Sequence, residues 1–161
     1  MMGLFASIRF YLAVLPLLLI APPVLAQASN FGSVTLSAAA PNGVSRGTTG
    51  GSTSLPAIIG NNDRNNNKCL GFGDPNPDHI LVLKDHFARL TLQVSANSPD
   101  MTLVVAGPDG VVRCGDNIGS RSSINLTDAD WKPGEYRIWV GTMVPNVRRS
   151  YTFNVRVNSA P

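Results

Sequence analysis

From position 31 the chain reads as a succession of short strands. Val34, Leu36 and Ala38 alternate with Ser33, Thr35 and Ser37, the period-two pattern of a strand with one buried face. Asp74-Pro75-Asn76-Pro77-Asp78 is turn chemistry, and His79-Ile80-Leu81-Val82-Leu83 is the strand that follows it. In the next strand Leu90, Leu92 and Val94 alternate with Arg89, Thr91, Gln93 and Ser95. Met101 to Ala106 is more continuously apolar, and Gly107-Pro108-Asp109-Gly110 turns it into Val111-Val112-Arg113-Cys114, a hairpin. Ser123 to Leu126 is a further short strand, and Lys132-Pro133-Gly134 a turn. Tyr136, Ile138 and Val140 form the inward face of the strand after it. The last strand places Tyr151, Phe153, Val155 and Val157 inside and Thr152, Asn154 and Arg156 outside. About eight strands divided by Gly, Pro, Asn and Asp, with no helical periodicity after Ala26, predict an all-β antiparallel sandwich.

Two stretches have almost nothing to bury. Ala39 to Ser54 is rich in Gly, Ser and Thr and predicts a long surface connection, while the Asn-rich run from Gly60 to Lys68 predicts a solvated loop whose side chains bond their own backbone. The N-terminus differs in kind: Arg9, an apolar run from Phe10 to Ala21, then Pro22, Pro23 and Val24-Leu25-Ala26 form the pattern of a secretory signal peptide. That run is shorter than the roughly 20 residues a spanning helix needs, so no membrane anchor is expected once cleavage after Ala26 (or Ala28) has removed it. The organisation expected is a signal peptide over 1–26, an N-terminal strand with long loops over 27–77, and the sandwich core over 78–161, the last two in one domain.

Composition adds compartment and excludes some functions. Of 161 residues, 43% are hydrophobic and 14% charged, the balance of one modest globular domain. The formal net charge of +3 includes Arg9 of the leader, and the small excess left, spread along the chain, is no nucleic-acid footprint. The two cysteines, Cys69 and Cys114, belong to a chain read as folding in an oxidising periplasm or outside the cell, and are expected to pair. Closing that loop is worth about 4 kcal/mol in the loop-closure picture.

The strand Asp78-His79-Ile80-Leu81-Val82-Leu83, the strand Leu90-Thr91-Leu92-Gln93-Val94, the run Asp100-Met101-Thr102-Leu103-Val104-Val105 leading into Gly107-Pro108-Asp109-Gly110, and Pro133-Gly134-Glu135-Tyr136-Arg137-Ile138-Trp139-Val140-Gly141 together resemble the bacterial pre-peptidase C-terminal domain. The resemblance covers about Asp78 to Val157. It implies a jelly-roll-like β-sandwich, secreted, often appended to an exported enzyme, and binding a substrate or polymer in some members. No catalytic partner is expected beside it in this sequence. A bacterial origin would also leave the sequon Asn125-Leu126-Thr127 unused.

No catalytic constellation is visible. There is no G-x-S-x-G elbow and no metal-ligand spacing around Cys69, Cys114, His79 or His86, and both histidines are expected at the surface. Some members of the resembled family bind calcium, but Asp109, Asp116, Asp128 and Asp130 form no D-x-D-x-D-G loop, so the expectation is no metal and no cofactor. If Tyr136, Ile138 and Val140 face inward, alternation sends Glu135, Arg137 and Trp139 outward, with Arg156 exposed on what reads as a neighbouring strand and Arg148-Arg149 in the connecting turn. Trp139, Arg137 and Arg156 are thus the candidate ligand-binding residues, suited to stacking and cation-π contact with an extracellular polymer or exported protein. The opposing expectation is that Trp139 is shielded by the Ala39–Ser54 segment or an Arg stem. Trp131 is expected to plug the sandwich edge.

Overall fold

A computed structural model of the chain describes residues 28–120 and 122–158; the signal-peptide reading falls outside the described residues. The elements, in chain order, are β1 (Ser33–Leu36), β2 (Asn42–Thr48), β3 (Thr53–Ser54), α1 (Leu55–Ile59), β4 (Phe72–Gly73), β5 (His79–Leu83), β6 (Phe87–Ser95), β7 (Met101–Ala106), β8 (Val112–Asp116), β9 (Ile124–Trp131), β10 (Gly134–Thr142) and β11 (Ser150–Val157).

They form two packed sheets, one of seven strands and one of four. In the larger sheet β10 is central, pairing antiparallel with β5, β7 and the short β4, while β8 continues beyond β7 through the hairpin predicted at Gly107–Gly110. The smaller sheet runs β2-β11-β6-β9. Tyr136, Ile138 and Val140 from β10 meet Tyr151, Phe153 and Val155 from β11, with Leu90, Leu92, Val94 and Trp131 completing the inter-sheet core. The interior thus assembles from the inward positions that alternation marks, and Trp131 is buried in it at its end. No helix of the described residues is long and apolar enough to cross a membrane.

Two features of the strand reading are corrected. The sandwich is antiparallel except where β1 runs parallel to β5, Val34 opposite Leu81 and Leu36 opposite Leu83. The stretch Ala39–Ser54 is not a surface connection throughout: it supplies β2, paired with β11 along its full length, and β3. Its composition disguised β2 because the inward positions must be small. A Cβ at Gly43 would collide with Val34, and one at Gly47 with the Tyr151 hydroxyl.

The Asn-rich loop is solvated but ordered around one residue. Asp63 Oδ1 accepts the N–H groups of Asn65 and Asn67, each at 2.8 Å, and Oδ2 accepts the Cys114 N–H at 3.2 Å. Cys69 and Cys114 are disulfide-bonded, with Cα atoms 5.3 Å apart. Together with an Arg64 N–H to Val112 carbonyl bond at 3.0 Å, these contacts cover part of the outer edge of β8, whose backbone would otherwise be unpaired. The disulfide fits folding in an oxidising compartment.

Candidate functional site

The three candidate residues do not come together. Arg137 and Trp139 lie on β10 of the seven-stranded sheet, whereas Arg156 lies on β11 of the other. Trp139 does point away from the inter-sheet core, as alternation requires, yet it is 2% exposed. The expectation of a solvent-facing tryptophan is therefore corrected. Trp139 stands opposite Val104 and is covered by Leu55 and Ile59 of α1 and by the Cys69–Cys114 bridge, with Ala106 and Val112 beside it. The cover is thus α1 and the disulfide loop rather than Ala39–Ser54, with the Arg137 guanidinium 5.8 Å from the ring centroid at the rim. A sign of this lies in β7, where every residue from Met101 to Ala106 is buried: a strand apolar on both faces requires cover on both.

His79 is also corrected, from surface to fully buried. Its imidazole stacks on Phe153 at 5.2 Å and shares a 3.0 Å hydrogen bond between Nε2 and the Tyr151 hydroxyl. Burial depresses this imidazole to about 4 and raises the Tyr151 hydroxyl above its ordinary range, so both are neutral at physiological pH. The adjacent Asp78 carboxylate accepts the Val140 N–H at 2.7 Å and the Asn30 amide at 3.4 Å, and burial lifts it to about 6. These groups tie strands together; the carboxylate bonds backbone and Asn30 rather than the imidazole, so they form no nucleophile–base–acid relay. His86 is exposed, 3.3 Å from Asp130. Asp128 pairs with Arg113 and Asp109 with Lys132, and among the described residues no group of three or more His, Cys, Asp or Glu is placed to hold a metal ion.

Arg156 leads to a different surface. With Tyr151, Phe153 and Val155 buried, β11 presents Thr152, Asn154 and Arg156 on the outer face of the four-stranded sheet. Register then aligns three rows across it. Arg156 stands between Asn42 and Thr91, Asn154 between Val44 and Gln93, and Thr152 between Arg46 and Ser95. The rows continue through side-chain bonds onto β9, Thr91 to Thr127 at 2.7 Å and Gln93 to Asn125 at 2.9 Å, and onto the residue before it, Ser95 to Ser123 at 2.8 Å. No carboxylate occupies these positions, and neither Arg46 nor Arg156 has a salt-bridge partner among the described residues. Two shallow depressions, of about 460 and 470 Å³, lie on this side, one beside Arg46 and Thr152, the other beside Val44 and Arg156. Arg46 is hidden in the sequence because β2 has the composition of a loop. The signal available was alternation, with Gly43, Ser45 and Gly47 on one side and Asn42, Val44 and Arg46 on the other.

No protein-family model matches the chain, and comparison with curated proteins finds no match.

Proposed function

We propose that this chain is an exported, non-catalytic binding domain that docks the outer face of its four-stranded sheet onto an acidic, hydroxyl-rich polymer outside the cell or in the periplasm. One observation carries the reading: Arg46 and Arg156 have no salt-bridge partner among the described residues, on a face of Asn, Gln, Thr and Ser rows around Val44 with no carboxylate in those rows. Such a face attracts negative charge at long range, and its amides and hydroxyls suit sugar hydroxyls at short range. The leader pattern and the disulfide support export. The motifs shared with pre-peptidase C-terminal domains support an accessory role, and the resemblance rests on those motifs alone. In this reading the domain needs no cofactor and touches no nucleic acid.

Affinity electrophoresis of the mature protein through gels containing polygalacturonate, a sulfated glycan or neutral cellulose derivatives tests it. The expected result is retardation by an acidic polymer, weakened by salt and lost in the Arg46→Ser, Arg156→Ser double variant. The competing reading is an inert envelope protein, favoured by the internal bonds that satisfy the Thr91, Gln93 and Ser95 side chains. Equal mobility of both proteins in every gel would establish that reading instead.

A further inference from the structure

We propose a second binding site, at the end of the sandwich beside the β7–β8 turn: a pocket in which Arg113, Arg64 and Lys132 take the carboxylate of a small aliphatic acid. The site is separate from the polar face and does not depend on it.

The sequence builds this pocket through alternation. Arg113 stands opposite Val105, a core residue, so its side chain enters the space between the sheets and is 1% exposed. A guanidinium there must be paired and hydrogen-bonded or the fold loses several kcal/mol. Its Nε donates to Asp128 Oδ2 at 2.6 Å, its Nη2 to the carbonyls of Ala129 at 3.1 Å and Asp130 at 3.0 Å, and its Cζ lies 4.0 Å from the centroid of the Trp131 ring. Nη1 has no acceptor among the described residues.

The three cations, Arg113, Arg64 and Lys132, are matched in number by Asp128, Asp130 and Asp109 but not in position. Arg64 Nη1 approaches the same Asp128 oxygen at 3.8 Å and donates to the Ala129 carbonyl at 3.3 Å, so two guanidinium groups share one carboxylate. Asp130 also lines the pocket, but its carboxylate sits 3.3 Å from His86 and is 55% exposed. Lys132 has only Asp109 at 3.8 Å, a pair exposed on both sides and therefore weak. The innermost part of the pocket carries an excess positive charge beside a nearly buried donor.

The volume is about 150 Å³, and Pro108, Val111 and Tyr136 form the apolar wall. The Tyr136 hydroxyl is engaged with the Lys132 carbonyl at 2.8 Å, so the ring offers carbon rather than a competing polar group. Arg113 Nη1 is left to meet one carboxylate oxygen while Arg64 and Lys132 supply the other donors, and a short aliphatic stem fits the wall.

Trp131 provides the reporter, because its indole N–H donates to the Asp128 carbonyl at 2.9 Å beneath Arg113. The experiment follows the two indole resonances of the mature protein during titration with butyrate, and in parallel with inorganic phosphate, at constant ionic strength. A saturable shift of Trp131, with Trp139 unmoved and a Kd of about 1–10 mM, is expected, weakening about tenfold in Lys132→Gln and in Arg64→Gln. Both substituted side chains are partly solvated, at 59% and 35% exposure, so the variants retain the fold. A linear, unsaturated shift, equal responses to phosphate and butyrate, or unchanged affinity in both variants would each overturn the assignment.

Discussion

The two outward faces of the sandwich follow the same alternation rule and meet opposite environments. On β11, Arg156 points away from the core into solvent; on β10, Trp139 points away from the core into a second hydrophobic cluster under α1 and the disulfide. Period two therefore separates the sides of a strand without saying what covers each side. The covered face is apolar on β7 and stapled, and the bare face is a set of polar rows with two arginines that have no salt-bridge partner among the described residues. The difference assigns Trp139 to packing and leaves Arg156 available for binding.

The largest break in that comparison comes from removing the covered tryptophan. Trp139→Ala is expected to cost about 4 kcal/mol in urea unfolding, while Trp139→Phe, which retains a ring and removes an indole N–H that has no partner among the described residues, should cost under about 1.5 kcal/mol. Replacing Cys69 and Cys114 together by Ser should cost about 3 kcal/mol, somewhat less than loop closure alone implies because Asp63 and Arg64 still tether the loop to β8. Acrylamide quenching should then reach Trp139 while Trp131 remains protected. Both tryptophans still protected would show that the apolar cluster, not the bridge, holds α1 and the loop over Trp139.

Smaller, and pH-dependent, is the effect of two buried groups, Asp78 just before β5 and His79 at its start. Asp78 is lifted from its ordinary 3.8 to about 6, so the stability gained by its protonation is complete below about 4 and lost as pH rises through 6. His79 is depressed from 6.5 to about 4, so the stability of its neutral form is present above 6.5 and lost as pH falls through 4. The two slopes oppose each other, and the unfolding free energy should be nearly flat between these limits. Asp78→Asn retains an acceptor for Val140 and removes one slope; it should gain about 2 kcal/mol at pH 7 relative to wild type and become the more acid-sensitive protein. Parallel pH profiles for the two proteins would show that Asp78 ionises alike in the folded and unfolded chain, without the lift that burial gives it. The smallest effect belongs to the bare face: Arg46→Ser with Arg156→Ser should leave stability within about 0.5 kcal/mol, since neither side chain supports the fold.

The fold was legible where apolar residues alternate against polar ones, as in β6, β10 and β11, and in the Gly107–Gly110 hairpin. It was obscured in β2, where close approach of Val34 and Tyr151 requires glycine and the strand takes on the composition of a loop. The parallel pairing of β1 with β5 leaves no local mark, because register between distant strands is decided by the core. Of the site, Arg156 and its exposure could be read from period two, but its neighbour Arg46 and the cover over Trp139 depend on contacts made by segments far apart in sequence. The burial of His79 is hidden for a related reason: a polar residue at a strand start is buried here by Phe31, Tyr151 and Phe153, drawn from both ends of the described chain.

The most direct test of the bare-face account is amide mapping of the isotope-labelled mature protein against the acidic polymer that retards it in gels. The account predicts perturbations along β2 and β11, concentrated at Arg46, Asn154 and Arg156, with the Trp139 indole unmoved. Perturbations centred on α1, the Cys69–Cys114 loop and Trp139 would contradict it and place binding on the covered face.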